Sequence, residues 1–214
     1  MKTHDLISQL SKDLKPVKTW GSPEILVAKF LAMGVIFGAG ILLMAGMRAD
    51  ISGKLHQLDY QLGLGWWSFL LAMSLYLVFA LAIPAYKISR TMILLFAVIL
   101  ISLILWHVHA LMGLDSEFLQ AGTSVAGIRC SVFTVITSLG GGALLTLKIR
   151  QGASGKIGIS SLLVAAASLA LGGVLISLNC GDDNGMHVAL WHFLIPALTV
   201  LVVAMLFVRR GLRW

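Results

Sequence analysis

Six predominantly apolar stretches, at residues 25–47, 66–86, 92–112, 131–147, 157–178 and 187–208, decide what this chain can fold into. A helix needs about 20 apolar residues to cross a bilayer's hydrocarbon core, and each stretch reaches or nearly reaches that length. None shows the strict alternation of a barrel strand, so helices are the spanning element that satisfies the backbone. The composition of the 214 residues agrees: 58% hydrophobic, 12% charged and a mean hydropathy of +0.94. Soluble domains run at about 45–50% apolar and about 25% charged. Such a chain is neither a soluble monomer nor disordered, since disorder needs low hydrophobicity. The expected fold is an all-α membrane protein, a six-helix bundle over 25–214 behind a short cytoplasmic N-terminal amphipathic segment at 1–24.

The start of the first span is marked by Ser22 as a cap, Pro23 in the first turn and Glu24 beside it. It does not read as a cleavable signal peptide, because a polar segment precedes it and no small-residue cleavage site follows. The fourth span is the shortest, and Gly140-Gly141-Gly142 blurs its end. The cations give the orientation. Thirteen of the sixteen Lys and Arg residues fall on the side of the two termini, and Arg48, Lys54 and Arg129 fall on the other. Positively charged loops stay in the cytoplasm, which places both termini there. Six acids (Asp50, Asp59, Asp115, Glu117, Asp182 and Asp183) lie on the opposite side. The net charge of +7 therefore describes a cytoplasmic rim, and no direct nucleic-acid binding is expected.

Two features carry the chemistry. In residues 4–14, Leu6, Ile7, Leu10 and Leu14 recur at three- and four-residue steps and share one face of a short amphipathic helix. Thr3 would cap it and Lys15-Pro16 would end it. So short a helix is marginal in water. Its stripe wants the lipid surface, its own bundle or a groove on a partner protein.

The second feature is a gathering of thiols and imidazoles on the outer side: Cys130, Cys180, His56, His107, His109, His187 and His192, with Asp182 and Asp183 beside Cys180. Three readings stand for the cysteines. They could pair as a disulfide on an oxidising side of the membrane, bind a soft metal, or pack as small hydrophobes. A metal reading draws on Cys130, Cys180, Asp182 and His187. No C-x-x-C motif supports thiol exchange. His107 and His109 are two apart, and His187 and His192 five apart, so on an α-helix each pair diverges. Haem between helices would need facing histidines deep in the bundle, and no cofactor is expected.

Ionisable groups are nearly missing from the spans, with Lys29 near enough to the inner surface to snorkel, so coupled transport lacks its usual residues. Gly34, Gly38 and the fourth-span glycines read as helix-packing positions, and Pro196 as a kink in the last span. No phosphate loop, zincin motif or nucleophile elbow occurs, so an enzyme is not expected.

Several stretches together are similar to one family. Met1-Lys2-Thr3-His4-Asp5-Leu6-Ile7, then Leu10 and Asp13-Leu14-Lys15-Pro16-Val17, resemble the N-terminal stretch of the NrsF-type anti-sigma factors, negative regulators of sigma F. Cys180-Gly181-Asp182-Asp183 followed by Trp191-His192, and the ending Arg209-Arg210-Gly211-Leu212-Arg213-Trp214, resemble the same family. The chain departs from it at Gly181, where Pro is frequent, and at Asn179, where His is common.

The resemblance implies a protein of the bacterial inner membrane whose partners are the lipid bilayer and an extracytoplasmic-function sigma factor. The sigma factor would be held through Leu6, Ile7, Leu10, Asp13, Leu14 and Pro16. It also implies that Cys130 and Cys180 sense a stress such as heavy metals or oxidants. The alternative from the residues is a quinone- or haem-linked membrane redox protein built on the outer Cys/His cluster.

Overall fold

In a computed structural model, residues 20–84, 86–112, 125–152 and 156–208 are described, together with Asp5, Ile7 and Arg210. Among these the chain is helical without strands, and six helices are long and apolar enough to cross a membrane. They are α1 (Pro23–Ala45), α2 (Leu58–Ala82), α3 (Arg90–Met112), α4 (Val125–Ile149), α5 (Ile157–Asn179) and a composite α6 starting at Gly185. Within α6, Gly185–His187 is followed by a π-helical stretch, Val188–Leu194, then α-helical Ile195–Val203 and a second π-helical stretch, Ala204–Val208.

Hydropathy alone starts the second span at residue 66, but α2 begins at Leu58. Its first turns carry Asp59 and Gln61, polar groups that fit a helix emerging from the apolar layer. Likewise α4 runs through its glycines to Ile149, because Gly141 and Gly142 face the side chains of Leu171 and Ser168 on α5. Ser22 occupies the N-cap of α1 without a side-chain capping bond, and Pro23 stands in the first turn.

The core sits around α5, most of which is buried against α2 and α4. Small residues allow that closeness. A Cβ on Gly172 would strike Ser138 and Thr134 of α4, and one on Gly173 would strike the Trp67 ring of α2. Such small-residue faces are how helices associate in lipid, where no hydrophobic drive brings them together. The hydroxyls at these seams bond within their own helices: Ser74 Oγ donates to the Leu70 carbonyl at 2.6 Å and Ser168 Oγ to that of Val164 at 2.6 Å. By contrast α1 and α3 lie at the periphery with bare apolar faces, Leu43 and Met44 of α1 being 88% and 91% exposed. In water such faces would be a liability; in a bilayer they meet acyl chains.

At the end where α1 starts and α2 and α4 finish, Trp20 packs edge-on against Phe79 at 6.4 Å and lies under Lys148 at 5.3 Å. The cysteines lie at the other end, near the start of α4 and just past α5. Of the N-terminal stripe, Ile7 is helical and exposed; Leu6, Leu10, Asp13, Leu14 and Pro16 lie outside the described residues, as do Asp115 and Glu117.

Candidate functional site

Three segments converge on one thiol–imidazole cluster. Cys130 projects from the second turn of α4, Cys180 caps the C-terminus of α5, and His187 and His192 come from the start of α6. The two sulfurs are 3.3 Å apart, both thiols free and half-buried. His187 Nε2 stands 3.6 Å from Cys180 Sγ, and the rings of His187 and His192 meet edge to face at 5.0 Å. One ligating atom from each of the four residues lies within 4.8 Å of all the others.

The divergence expected of His187 and His192 is not what the structure has, and the cause is the helix type. Five residues on an α-helix of 3.6 per turn turn through roughly 140° beyond a full circle. Here residues 188–194 form a π-helix, in which the Ile195 N–H reaches the Leu190 carbonyl, five residues back. A five-residue spacing is then close to one turn, and the two imidazoles share a face. Pro196 gives a local reason, because it lacks an N–H for the carbonyl of His192 and its ring crowds that carbonyl. π-Helical turns recur at functional sites.

The loop between α5 and α6 is held in place by its own side chains and by α1. Asn184 caps the last helix by accepting from the Met186 and His187 N–H groups, and Asp182 Oδ1 accepts from the Asn184 N–H at 3.0 Å. Asp182 Oδ2 lies 3.3 Å from His187 Nδ1. That contact orients the ring so that Nε2 faces Cys180 Sγ.

From the other side comes Arg48, whose side chain is 1% exposed. It donates to both oxygens of Asp183, at 2.8 and 2.7 Å, and to both oxygens of Asp50, at 2.7 and 3.0 Å. Lys54 Nζ adds a third cationic contact, 2.6 Å from Asp183. The backbone follows the same tie: Arg48 N–H donates to the Leu178 carbonyl at 3.0 Å, and Asn179 Nδ2 donates to the Gly46 carbonyl at 2.7 Å. Gly46 itself adopts a positive φ of 88°, the conformation that turns the chain out of α1 toward this contact.

Electrostatics follow from these partners. Hydrogen bonds from Arg48 hold the Asp183 carboxyl down at about 2, with Lys54 assisting against partial burial. Arg48 also lowers the Asp50 carboxyl, and the two carboxylates in turn raise the guanidinium's affinity for its proton. Cys180 is pushed below the ordinary thiol range, first by the hydrogen bond from Cys130 and then by His187, so it is the first thiol of the pair to ionise.

A cavity of about 280 Å³ opens beside the cluster, lined among others by Lys54, Tyr60, Trp67, His109, Asp182 and His192, and it reaches Cys180. His107 lines the same cavity, but its Nδ1 is bonded to the Leu103 carbonyl at 2.8 Å and its ring stacks on Phe193 at 4.3 Å. It is a packed core histidine. His56 is exposed, with Nδ1 2.8 Å from the Ser52 carbonyl oxygen. Of the residues read from sequence, the structure thus brings together Cys130, Cys180 and His187, with Asp182 behind His187. It adds His192, which α-helical spacing would turn away, and Arg48, one of the three cations on the side opposite the termini. The signal for His192 was the proline four residues on; for Arg48 no sequence signal distinguishes it.

The fold is thus a bundle of six helices long and apolar enough to cross a membrane, with one polar end tied across three segments. The family model of NrsF, "Negative regulator of sigma F", matches residues 10–214, nearly the whole chain and the entire cluster. The chain belongs to this family of negative regulators of sigma F, and is thereby an anti-sigma factor. No curated protein and no solved structure matches it.

Proposed function

We propose that this anti-sigma factor holds an extracytoplasmic-function sigma factor at the bacterial inner membrane through its cytoplasmic N-terminal segment. In this reading Leu6, Ile7, Leu10 and Leu14 anchor the partner, and Asp13 and Pro16 shape the segment's end. A stress signal at Cys130 and Cys180 on the periplasmic side releases it. The observation that carries the sensor half is the 3.3 Å approach of two free thiols at the end of the bundle opposite Trp20, where the N-terminal segment joins the helices. Buried apolar anchors contribute about 1.5–3 kcal/mol each before entropy costs, so two or three would capture a partner. For release, the signal-bound and signal-free bundles must differ in affinity for the sigma factor, since a ligand shifts an equilibrium only by its differential affinity.

The test is a gentle-detergent pull-down of the full-length protein beside a version lacking residues 2–18 and beside Leu10→Asp. A sigma factor captured by the full chain and by neither variant, with membrane insertion unchanged, supports the reading. Capture undiminished by Leu10→Asp removes the anchor assignment. Normal induction in a Cys130→Ser/Cys180→Ser double variant relegates both thiols to packing.

A further inference from the structure

We propose that Cys130, Cys180, His187 and His192 form a four-coordinate site for a thiophilic divalent cation of the Zn²⁺ or Cd²⁺ kind, with Asp182 as the residue that orients His187. The proposal deepens the sensor role of the two thiols and rests on it for its biological consequence.

Tetrahedral zinc with bonds of about 2.3 Å to sulfur and about 2.0–2.1 Å to nitrogen has ligand-to-ligand edges of roughly 3.3–3.8 Å. The Cys130–Cys180 edge is 3.3 Å and the Cys180–His187 edge 3.6 Å, and the widest separation among the four ligand atoms is 4.8 Å or less. Two thiolates and two imidazoles suit a borderline-soft cation, and the set offers no oxygen cage for Mg²⁺ or Ca²⁺. Four protein ligands leave no open position, which marks a holding site rather than a catalytic one.

The independent observation is His192. The residue is 4% exposed, and its Nε2 is buried without a hydrogen-bond partner among the described residues. A buried polar atom left unsatisfied calls for an explanation, and a cation held by this imidazole together with the two thiols and His187 supplies one. A disulfide would use both sulfurs and leave this nitrogen unanswered. Behind His187, the carboxylate of Asp182 at 3.3 Å makes the carboxylate–histidine arrangement that fixes a metal-binding tautomer. The cavity of about 280 Å³ touching both Cys180 and His192 is the entry path. Binding replaces two thiol protons with one M²⁺, releases two H⁺ and changes no oxidation state. It would clamp α4, the α5–α6 loop and α6 to one point.

The experiment is a Cd²⁺ titration of the reduced full-length protein in detergent, followed by the ultraviolet thiolate-to-metal charge-transfer band. One Cd²⁺ per chain is expected, with the band lost in the Cys130→Ser/Cys180→Ser variant. His192→Ala should weaken affinity by about tenfold or more, and Asp182→Asn by about 10–100-fold. His56→Ala, at an exposed imidazole, should match the wild type. Far-UV circular dichroism confirms that each variant is folded, and His192→Gln stands in if the alanine form is not. Wild-type affinity in a folded His192 variant, or a stoichiometric band without the cysteines, overturns the site. A reporter of sigma-dependent transcription separates the two levels. Tight Cd²⁺ binding without induction leaves the site standing and removes the sensor reading. Cysteine-dependent induction with no Cd²⁺ bound leaves the sensor and removes the site.

Discussion

The two ends of this bundle are built on different principles. At the end that carries Trp20, contacts are aromatic: Trp20 on Phe79, Phe30 on Phe79 at 6.0 Å, and an exposed Tyr76–Tyr86 hydroxyl pair at 3.0 Å. At the end that carries the cysteines, contacts are ionic and between thiols and imidazoles. Arg48 reaches across 135 positions to Asp183, and Cys130 across 50 to Cys180. Aromatic packing tolerates small sliding, whereas bidentate charged hydrogen bonds and a four-donor cluster accept few geometries. The cysteine end is therefore the more tightly specified of the two. The Arg48 tie also joins α1, the helix that leads back to the N-terminal segment, directly to the cysteine loop.

The contrast can be broken from the cysteine end. Arg48→Ala removes the donor to Asp183 and should cost about 1–3 kcal/mol, read as a lower thermal midpoint in detergent, the range allowing for the exposed partner. Asn179→Ala deletes one bond to the Gly46 carbonyl and should cost about 0.5–1 kcal/mol by the same measurement.

Acid acts on the same tie with a definite sign. The Asp183 carboxyl stands at about 2 in the folded protein against an ordinary 3.8. Its contribution is complete above the unfolded value and is lost as pH falls through the folded one. The difference in stability between wild type and Asp183→Asn should therefore be flat from neutral pH down to about pH 4 and shrink below it. A difference that changes between pH 6 and 8 would assign the tie to another group. At the far end, Tyr86→Phe should leave the thermal midpoint unchanged; a shift comparable to that of Arg48→Ala would erase the distinction between the ends.

Much of the architecture is legible in the residues because lipid leaves few choices. Apolar length sets the helices, and the glycines of α4 and α5 announce a close seam. The helix boundaries are less legible. Hydropathy cannot see that Leu58–Gly65 continues α2 past the apolar layer, since Asp59 and Gln61 interrupt the pattern without interrupting the hydrogen bonds. The site was half legible. The two cysteines and the Asp182–His187 stretch stood out by type and side. Asn179, where a histidine would have suggested a ligand, instead holds Gly46 through its amide.

What the sequence determined by itself was the class of molecule and the chemistry available at one end: six membrane-crossing helices, two thiols, and imidazoles on the same side as the thiols. Both follow from composition and order, because a bilayer forces every apolar run of that length into a helix. What the tertiary structure decided was which of those groups meet. Whether His187 and His192 face together depends on five- rather than four-residue hydrogen bonding ahead of Pro196. Whether Arg48 is a loop cation or a buried clasp depends on where Asp183 lies after α5 has packed. Neither is a property of local sequence, since each is fixed by a partner in a distant segment.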